Sequence, residues 1–331
     1  MNSPEHAVQE SAASLPSNRQ PNVPSDAQFN APAESAVIAL NNVAKRYGSL
    51  QVLNGLTLQV QRGEVYGFLG RNGAGKSTAI RMIMGITKIS SGSIHLFGQS
   101  VTDNVVAARQ RVGYVAQEQH FYPWMTPKVL GKFVRGFYPR WDEQRYQSVL
   151  SQFDLPLKRK VGTFSGGMKA KLALTVALAT KPECLILDEP TAGMDPVARR
   201  EFLDLVSEEA RKDDTTIFFS THLIDDIEAI ADRIGIVESG KAVYEGALEP
   251  LSNSIVTYSI SSDYYRQGDI PGDFVNNAQH VLQSLSRHGR QTMVLQFPYG
   301  APRDIPLRPG WQEDPMTLED VFIAVVAQSG N

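Results

Sequence analysis

An eight-residue stretch with the letters GRNGAGKS, from Gly70 to Ser77, has the composition of a phosphate-binding loop. It follows the apolar run VYGFL and precedes a helix-forming stretch, the context that such a loop requires. Glycines let backbone N–H groups converge on phosphate oxygens, Lys76 supplies a positive charge, and Ser77 offers a hydroxyl to Mg²⁺. The pattern predicts a nucleotide-phosphate site made of Gly70, Asn72, Gly73, Ala74, Gly75, Lys76, Ser77 and Thr78.

Two carboxylates close a second apolar run, CLILDEP. A phosphate loop needs a carboxylate on a buried strand to complete its metal site, and Asp188 is in that position. Glu189, one residue further, is placed to accept a proton from an attacking water. A solvated strand end is the alternative, but the phosphate loop in the same chain favours the functional interpretation.

Two more polar residues end predicted strands, His222 in FFSTHL and Gln117 in YVAQEQ. In a parallel sheet, ligand-facing residues lie at the carboxyl ends of the strands. Gln117 is a candidate for the metal or the lytic water. On position alone, His222 is equally consistent with a structural role.

The segment TFSGGM raises a different question. Ser165, Gly166 and Gly167, called here the Ser-Gly-Gly segment, open an apolar helix-forming stretch and have the composition of a phosphate cradle at a helix start. However, no strand leads into them and no Lys-Ser pair follows. The residues alone do not say whose phosphate they would hold.

The elements around these residues alternate between strands and helices, which predicts an α/β fold. Residues 1–35 are rich in Pro, Ser, Ala and Asn, which predicts a disordered leader, with a docking tail as the functional alternative. The stretch from Glu118 to Val161 is predicted to be a helical insertion. A helix is expected from about Pro196 to Arg211, and a hairpin turning at Ser239 and Gly240.

Beyond about Leu251 the pattern predicts a small α/β appendix. Its predicted elements are strands in SIVTYSIS and TMVLQF, a helix from about Asn277 to Arg287, and a closing helix in LEDVFIAVVAQ. The predicted domains are a leader over 1–35, a nucleotide-binding domain over 36–248 with a helical subdomain at about 118–181, and an accessory domain over 249–331.

Composition limits the classes of function. The chain has 331 residues, 42% of them hydrophobic, and a formal net charge of −3, which does not favour nucleic-acid binding. The longest apolar stretch, Leu172 to Thr180, is shorter than the about 20 residues of a membrane span. The first residues lack the pattern of a secretory signal. The single cysteine, Cys184, is predicted to be a buried thiol of a reducing compartment.

Six motifs occur in register over about Ala36 to Gly246: GRNGAGKST, YVAQE, FSGGM, CLILDEP, TAGMDP and STH. In this order they resemble the nucleotide-binding subunit of ATP-binding cassette (ABC) transporters. The resemblance implies a P-loop NTPase core, RecA-like, with an antiparallel β subdomain and a helical subdomain. It also implies that Tyr47 stacks on adenine, Glu189 is the general base, His222 contacts the γ-phosphate, and Asp195 lies at a dimer seam.

The resemblance also gives the Ser-Gly-Gly segment a role. Ser165 and Gly167 would cap the γ-phosphate of ATP bound to a second subunit, with the positive end of a helix directed at it. The implied assembly is a head-to-tail pair of cassettes, homodimeric or heterodimeric, that binds Mg-ATP at two shared sites. Ser77, Gln117 and Asp188 would hold Mg²⁺. An integral-membrane permease is the implied partner, which would place the chain at the cytoplasmic face of the plasma membrane.

Three positions depart from the usual pattern of the family. Met168 stands where a glutamine is usual, and Ala192 and Met194 stand where serine and leucine are usual. Since Ser165, Glu189 and His222 are present, we expect a competent site with altered dimer affinity.

An aromatic and apolar cluster, Phe121, Tyr122, Trp124 and Met125, is either core or a groove for a helix of the membrane partner. The segments FYPRWDEQRY, GGMKAKLAL and LEDVFIAVV look like those of bacterial export-type cassettes. Two alternatives remain: a soluble cassette ATPase acting on ribosomes or nucleic acid, and a small-molecule kinase. The first usually has two cassettes or a coiled-coil insertion, and the second needs no Ser-Gly-Gly segment.

Overall fold

The computed structural model describes seven ranges of the chain. They are residues 36–102, 106–212, 215–261, 280–287, 290–297, 309–314 and 316–328. The predicted leader over 1–35 lies outside the described residues.

A six-stranded sheet forms the centre of the molecule, in the order β10-β9-β3-β8-β7-β6. Its strands are β3 (Val65–Gly70), β6 (Val112–Val115), β7 (Cys184–Asp188), β8 (Thr216–Thr221), β9 (Arg233–Glu238) and β10 (Lys241–Ala247). Neighbouring strands are parallel except at β9 and β10, which form the predicted hairpin. Every residue of β3, β7 and β8 is buried, as the continuous apolar runs predict for a sheet covered on both faces.

A second, antiparallel sheet lies next to the first in the order β2-β1-β4-β5. It consists of β1 (Ala36–Tyr47), β2 (Leu50–Gln61), β4 (Ser91–Leu96) and β5 (Gln99–Ser100). Its apolar face shares one hydrophobic cluster with Ile80 and Phe218. This packing fixes the phosphate loop between the two sheets.

Nine helices are described. They are α1 (Lys76–Ile83), α2 (Val106–Arg109), α3 (Pro127–Arg135), α4 (Glu143–Gln152), α5 (Gly166–Ala179), α6 (Pro196–Lys212), α7 (Ile224–Ile230), α8 (Leu248–Ser254) and α9 (Leu318–Gln328). Side-chain caps set the starts of three helices within about 118–181, since Thr126, Asp142 and Ser165 accept hydrogen bonds from backbone N–H groups of α3, α4 and α5. None of the helices in the described ranges is both long and apolar enough to span a membrane.

The appendix contains a third sheet, in the order β12-β13-β11-β14. Its strands are β11 (Ile255–Ser261), β12 (His280–Arg287), β13 (Arg290–Gln296) and β14 (Trp311–Asp314). Val294, Leu318 and Val321 join the same hydrophobic cluster as Leu187 and Ile217 of the central sheet. The appendix therefore packs directly on the core of the cassette.

The predicted helix from about Asn277 to Arg287 is wrong. Within the described residues, His280–Arg287 is strand β12, paired antiparallel with β13. Apolar residues at 281, 282 and 285 fit a helical and an extended pattern equally well, so periodicity does not decide between them. Pairing with β13 decides for the strand, because the ladder satisfies backbone groups that a short helix would leave open at its ends.

Candidate nucleotide site

The phosphate loop connects β3 to α1. Gly70 ends the strand, and Lys76 is the first residue of the helix. The side chain of Lys76 is buried, and its Nζ donates to the carbonyl oxygens of Gly70 (2.7 Å) and Arg71 (3.2 Å). The ammonium group is thus held inside the loop.

Gly75 is required at the start of α1. Its φ of 103° lies in the left-handed region, and a Cβ there would come within 2.5 Å of Leu53 Cδ2. A glycine lets the loop approach the antiparallel sheet closely, which leaves the first N–H groups of the helix open to a ligand.

A buried carboxylate lies opposite the start of α1. Asp188, at the end of β7, accepts hydrogen bonds on Oδ1 from Ser77 Oγ and Ser220 Oγ, both at 2.9 Å. Burial raises the pKa of Asp188, and the two hydroxyl bonds oppose that shift. The hydroxyl of Ser77 beside a carboxylate forms a set of hard oxygen donors that fits Mg²⁺.

Glu189 is the point at which the predicted catalytic residues meet. Its Oε1 lies 3.0 Å from Lys76 Nζ, and its Oε2 lies 3.3 Å from His222 Nδ1 and 3.4 Å from Gln117 Nε2. Residues from the phosphate loop and from the ends of β6 and β8 therefore surround one carboxylate.

The backbone at Glu189 is unusual. Its φ is 44°, in the left-handed region, and its N–H donates to the carbonyl oxygen and Oγ of Ser220, both at 3.1 Å. For a residue other than glycine this conformation is unfavourable and persists only where the surroundings hold it. The turn directs the Glu189 side chain towards the phosphate loop.

A cavity of about 300 Å³ opens beside this carboxylate. The described residues that line it are Val52, Asn72, Gly73, Gly75, Lys76, Ser77, Thr78, Gln117 and Glu189. Most of them are predicted site residues, whereas sequence reasoning missed Val52, which carries no motif. It also missed Ser220. This serine ends the apolar stretch TIFFS directly before Thr221 and His222, a position that could have indicated a site residue.

Tyr47 does not line the cavity. It ends β1 with half of its side chain exposed, and Lys45 Nζ lies 4.6 Å from the centre of its ring. Its contact with a nucleotide base stays a prediction.

The Ser-Gly-Gly segment also lies outside the described lining of the cavity. Ser165 is exposed and caps α5 by accepting a hydrogen bond from the N–H of Met168 (3.2 Å). A Cβ on Gly167 would lie 3.8 Å from Met194, so two of the departing positions are neighbours of this segment. Met168 and Met194 are both partly buried against the main core, which gives them a packing role.

Asp195 begins the turn into α6. Its Oδ1 accepts hydrogen bonds from the N–H groups of Val197 (3.1 Å) and Ala198 (3.0 Å). The bond from Ala198 is the main cause of the lowered pKa of Asp195. The residue therefore caps α6 within this chain, and its place at a dimer seam stays a prediction.

The aromatic cluster after Gln117 is divided between core and surface. Phe121 and Met125 pack against the main core, whereas Tyr122 and Trp124 are 48% and 63% exposed. Their rings lie 5.0 Å apart and continue along α3 and just beyond it, with Phe133 5.9 Å from Tyr122 and Phe137 5.3 Å from Phe133. These four residues, Tyr122, Trp124, Phe133 and Phe137, form an exposed aromatic row.

The predicted burial of Cys184 is confirmed. Its thiol is free and fully buried at the start of β7, and burial raises its pKa to about 12. A protonated, enclosed thiol serves packing.

Comparison with known proteins identifies the family. A family model described as ABC transporter matches residues 53–192. The Nod factor export ATP-binding protein I of Burkholderia lata is 34% identical over 307 residues, which cover 88% of this chain and 98% of that protein. The ABC transporter ATP-binding protein YtrB of Bacillus subtilis is 30% identical over 295 residues, which cover 87% and 97%.

A solved structure of the ATP-binding subunit of an ABC transporter matches with a TM-score of 0.60 and 28% identity, over 66% of this chain and 92% of that one. The fold prediction, an α/β cassette of the P-loop NTPase type, is confirmed. The chain therefore belongs to the ABC transporter ATP-binding protein family, and it is an ATP-hydrolysing subunit of such a transporter.

Proposed function

We propose that the chain hydrolyses Mg-ATP at two sites shared with a second cassette, and that this drives a separate integral-membrane permease in the export direction. The observation that carries the proposal is the meeting of Lys76, Gln117 and His222 at the carboxylate of Glu189, beside the pair formed by Ser77 and Asp188.

Each residue has one role in this proposal. Backbone N–H groups of the phosphate loop and the Lys76 ammonium bind the phosphates. Glu189 accepts the proton of the attacking water. His222, whose Nδ1 lies 3.3 Å from Glu189 Oε2, contacts the γ-phosphate. Gln117, at 3.4 Å from Glu189, orients the water or reaches the metal.

The donor set also supports the proposed metal site. Ser77, Asp188 and the amide oxygen of Gln117 would hold Mg²⁺. A bound Mg²⁺ would supply positive charge against the negative charge that develops on the phosphate. Asp188 is buried and accepts bonds from two hydroxyls, so its position is fixed before the nucleotide arrives.

The position of the Ser-Gly-Gly segment supports a shared site. It is exposed at the amino end of the 14-residue helix α5, where the helix dipole favours an anion, yet it does not line the cavity of its own chain among the described residues. A second cassette arranged head to tail would bring its nucleotide to this segment. The second cassette is proposed to be another copy of this chain, with a related cassette as the alternative.

The aromatic row supports a membrane partner. An exposed row of four aromatic side chains on a helical insertion has the composition of a protein-binding site. A short helix of the permease would lie along it, which would hold the chain at the cytoplasmic face of the plasma membrane. The name of the Nod factor relative favours export, and no nucleic-acid partner is proposed because the net charge is −3.

The test is reconstitution with the membrane proteins encoded beside the gene. We expect a stable complex in detergent with one of them, loss of the complex in Trp124→Ser, and a normal complex in Ile86→Ser, a matched change at an equally exposed site. Co-purification of ribosomes or RNA in place of a membrane protein would contradict the proposal and favour a soluble cassette. A complex unaffected by Trp124→Ser would remove the aromatic row from it.

A further inference from the structure

A buried carboxylate outside the nucleotide site connects the two segments that carry Glu189 and His222. Asp226, on α7, is 1% exposed. Its Oδ2 accepts hydrogen bonds from Thr191 Oγ1 (2.6 Å) and Thr221 Oγ1 (3.1 Å), and its Oδ1 accepts one from Arg199 Nε (2.5 Å). Both hydroxyls are buried, so water does not compete for these bonds.

The two threonine partners of Asp226 each lie close in sequence to a residue of the proposed catalytic site. Thr191 is two residues after Glu189, within consecutive turns in which Ala192 N–H donates to Glu189 O and Met194 N–H donates to Thr191 O. Through Thr191, Asp226 therefore restrains the turn that holds Glu189 in its left-handed conformation.

The second partner restrains His222 from both sides. Thr221 directly precedes His222, and its Oγ1 both donates to Asp226 and accepts from the N–H of Leu223 (3.0 Å). The backbone before and after His222 is thus tied to one side chain. His222 Nδ1 lies 3.3 Å from Glu189 Oε2. This distance depends on the relative position of the segment after β7, which carries Glu189, and the segment after β8, which carries His222.

We propose that Asp226 is a positioning residue for ATP hydrolysis, which sets the relative position of Glu189 and His222 through Thr191 and Thr221. It does not touch the cavity among the described residues. The inference rests on the proposed roles of Glu189 and His222.

The charge of Asp226 matters as well as its shape. Arg199 is largely buried and donates through Nε to Asp226, while its Nη2 lies 3.6 Å from the exposed carboxylate of Asp225. An amide at position 226 can accept on one side only, so either Arg199 or the threonine pair loses its acceptor. Asp225→Asn is the matched control: it is the adjacent residue and also contacts Arg199, but it is 84% exposed and no bond to either threonine is found.

The experiment measures the ATP dissociation constant and the turnover per ATP-binding site in Asp226→Asn, Asp225→Asn, Thr221→Val and Thr221→Ser. Turnover is divided by titrated binding sites, so unfolded protein does not lower it. We expect turnover to fall at least about tenfold in Asp226→Asn and Thr221→Val, because small misplacements of catalytic groups are costly. ATP affinity should stay within about twofold, since the phosphate loop is unchanged. Asp225→Asn should resemble the unmodified chain, and Thr221→Ser should recover the turnover that Thr221→Val loses.

Normal turnover per site in Asp226→Asn would overturn the proposal. Equal losses of binding and turnover would also overturn it, because they indicate a merely structural role. If Asp226→Asn does not fold, the Thr221→Val and Thr221→Ser pair gives the answer, and equal turnover in the two would overturn the proposal. Glu189→Gln is measured beside them: if it turns over ATP normally, the proposed function has failed, whereas an inactive Glu189→Gln with a normal Asp226→Asn overturns only this inference.

Discussion

The carboxylate of Glu189 and a nucleotide phosphate compete for the ammonium group of Lys76. Glu189 pairs with Lys76 at 3.0 Å, and both side chains are buried, so each compensates the charge of the other. A bound nucleotide phosphate needs the same ammonium group as its partner. The carboxylate of Glu189 thus opposes the binding of the phosphate that it is proposed to help hydrolyse.

This competition predicts opposite effects of one substitution. Glu189→Gln should bind ATP more tightly, because the amide carries no negative charge beside the phosphate. It should also lower kcat by roughly a hundredfold or more, because the proposed proton acceptor is lost. Equilibrium binding and steady-state hydrolysis measure the two effects. The control is Glu118→Gln, at a position next to Gln117 in the sequence whose side chain is 82% exposed. Full activity of Glu189→Gln would disprove the assignment of Glu189 as the proton acceptor.

The residues of the site could be predicted because each motif ends a strand or starts a helix. Their mutual contacts could not. Ser220 reaches Asp188 only because β7 and β8 pair with Asp188 opposite Ser220. Asp226 contacts residues from three other parts of the chain, and the most distant, Thr191, is 35 positions away. No short sequence motif indicates such a contact. The sequence predicts the element on which a residue lies, but the register between paired strands decides which residues it contacts.

At the scale of elements, one contact between the antiparallel sheet and the central sheet is titratable. Glu245 on β10 accepts a hydrogen bond from the N–H of Gln59 on β2 (2.9 Å), and Arg233 Nη2 lies 3.9 Å away. Burial is the main cause that raises the pKa of Glu245 to about 7, although the Gln59 bond and Arg233 lower it. This carboxyl group therefore binds its proton more tightly in the folded chain than in the unfolded chain.

The raised pKa of Glu245 makes the unfolding free energy of the chain depend on pH. The contribution of Glu245 is complete below the unfolded pKa, near 4.5, and is lost as the pH rises through about 7. Glu245→Gln keeps the neutral form at every pH. We expect the unmodified chain to lose on the order of 3 kcal/mol of unfolding free energy relative to Glu245→Gln between about pH 4 and pH 8. Urea unfolding of both proteins measures it, with the exposed Glu249→Gln as control, and parallel pH profiles would contradict it.

Elements with a clear apolar pattern in the sequence were predictable: the helix α6 and the buried strands β7 and β8 are confirmed. Strand β12 was not, because its pattern fits two periods and only pairing with β13 selects one. The same dependence on packing partners explains why the exposed Tyr122 and Trp124 could not be distinguished in advance from the partly buried Phe121 and Met125.

At the scale of the molecule, one carboxylate joins the insertion to the core. Glu183, at the entrance to β7, accepts hydrogen bonds from Arg111 (2.9 and 2.7 Å) and from Arg140 (3.1 Å), and Arg62 lies 3.6 Å away. Arg111 is the main cause that lowers the pKa of Glu183 to about 2. Since Arg140 lies between α3 and α4, this cluster ties the helical insertion to the sheet that carries the site.

The proposed catalytic unit consists of two chains rather than one. Each chain would supply a phosphate loop to its own ATP and its Ser-Gly-Gly segment to the ATP of the partner. An arginine at Ser165 would fill the space that the partner's phosphate needs while leaving the phosphate loop of the same chain intact. Binding of one ATP per chain would then persist without assembly.

The direct measurement is the molar mass of Glu189→Gln in solution, by light scattering, with and without saturating Mg-ATP. We expect the chain mass of 36.4 kDa without nucleotide and twice that value with it. The variant that also carries Ser165→Arg should stay at the single-chain mass while still binding ATP. A Glu189→Gln protein that remains at the single-chain mass with Mg-ATP, or a doubled mass that survives Ser165→Arg, would contradict the shared-site dimer.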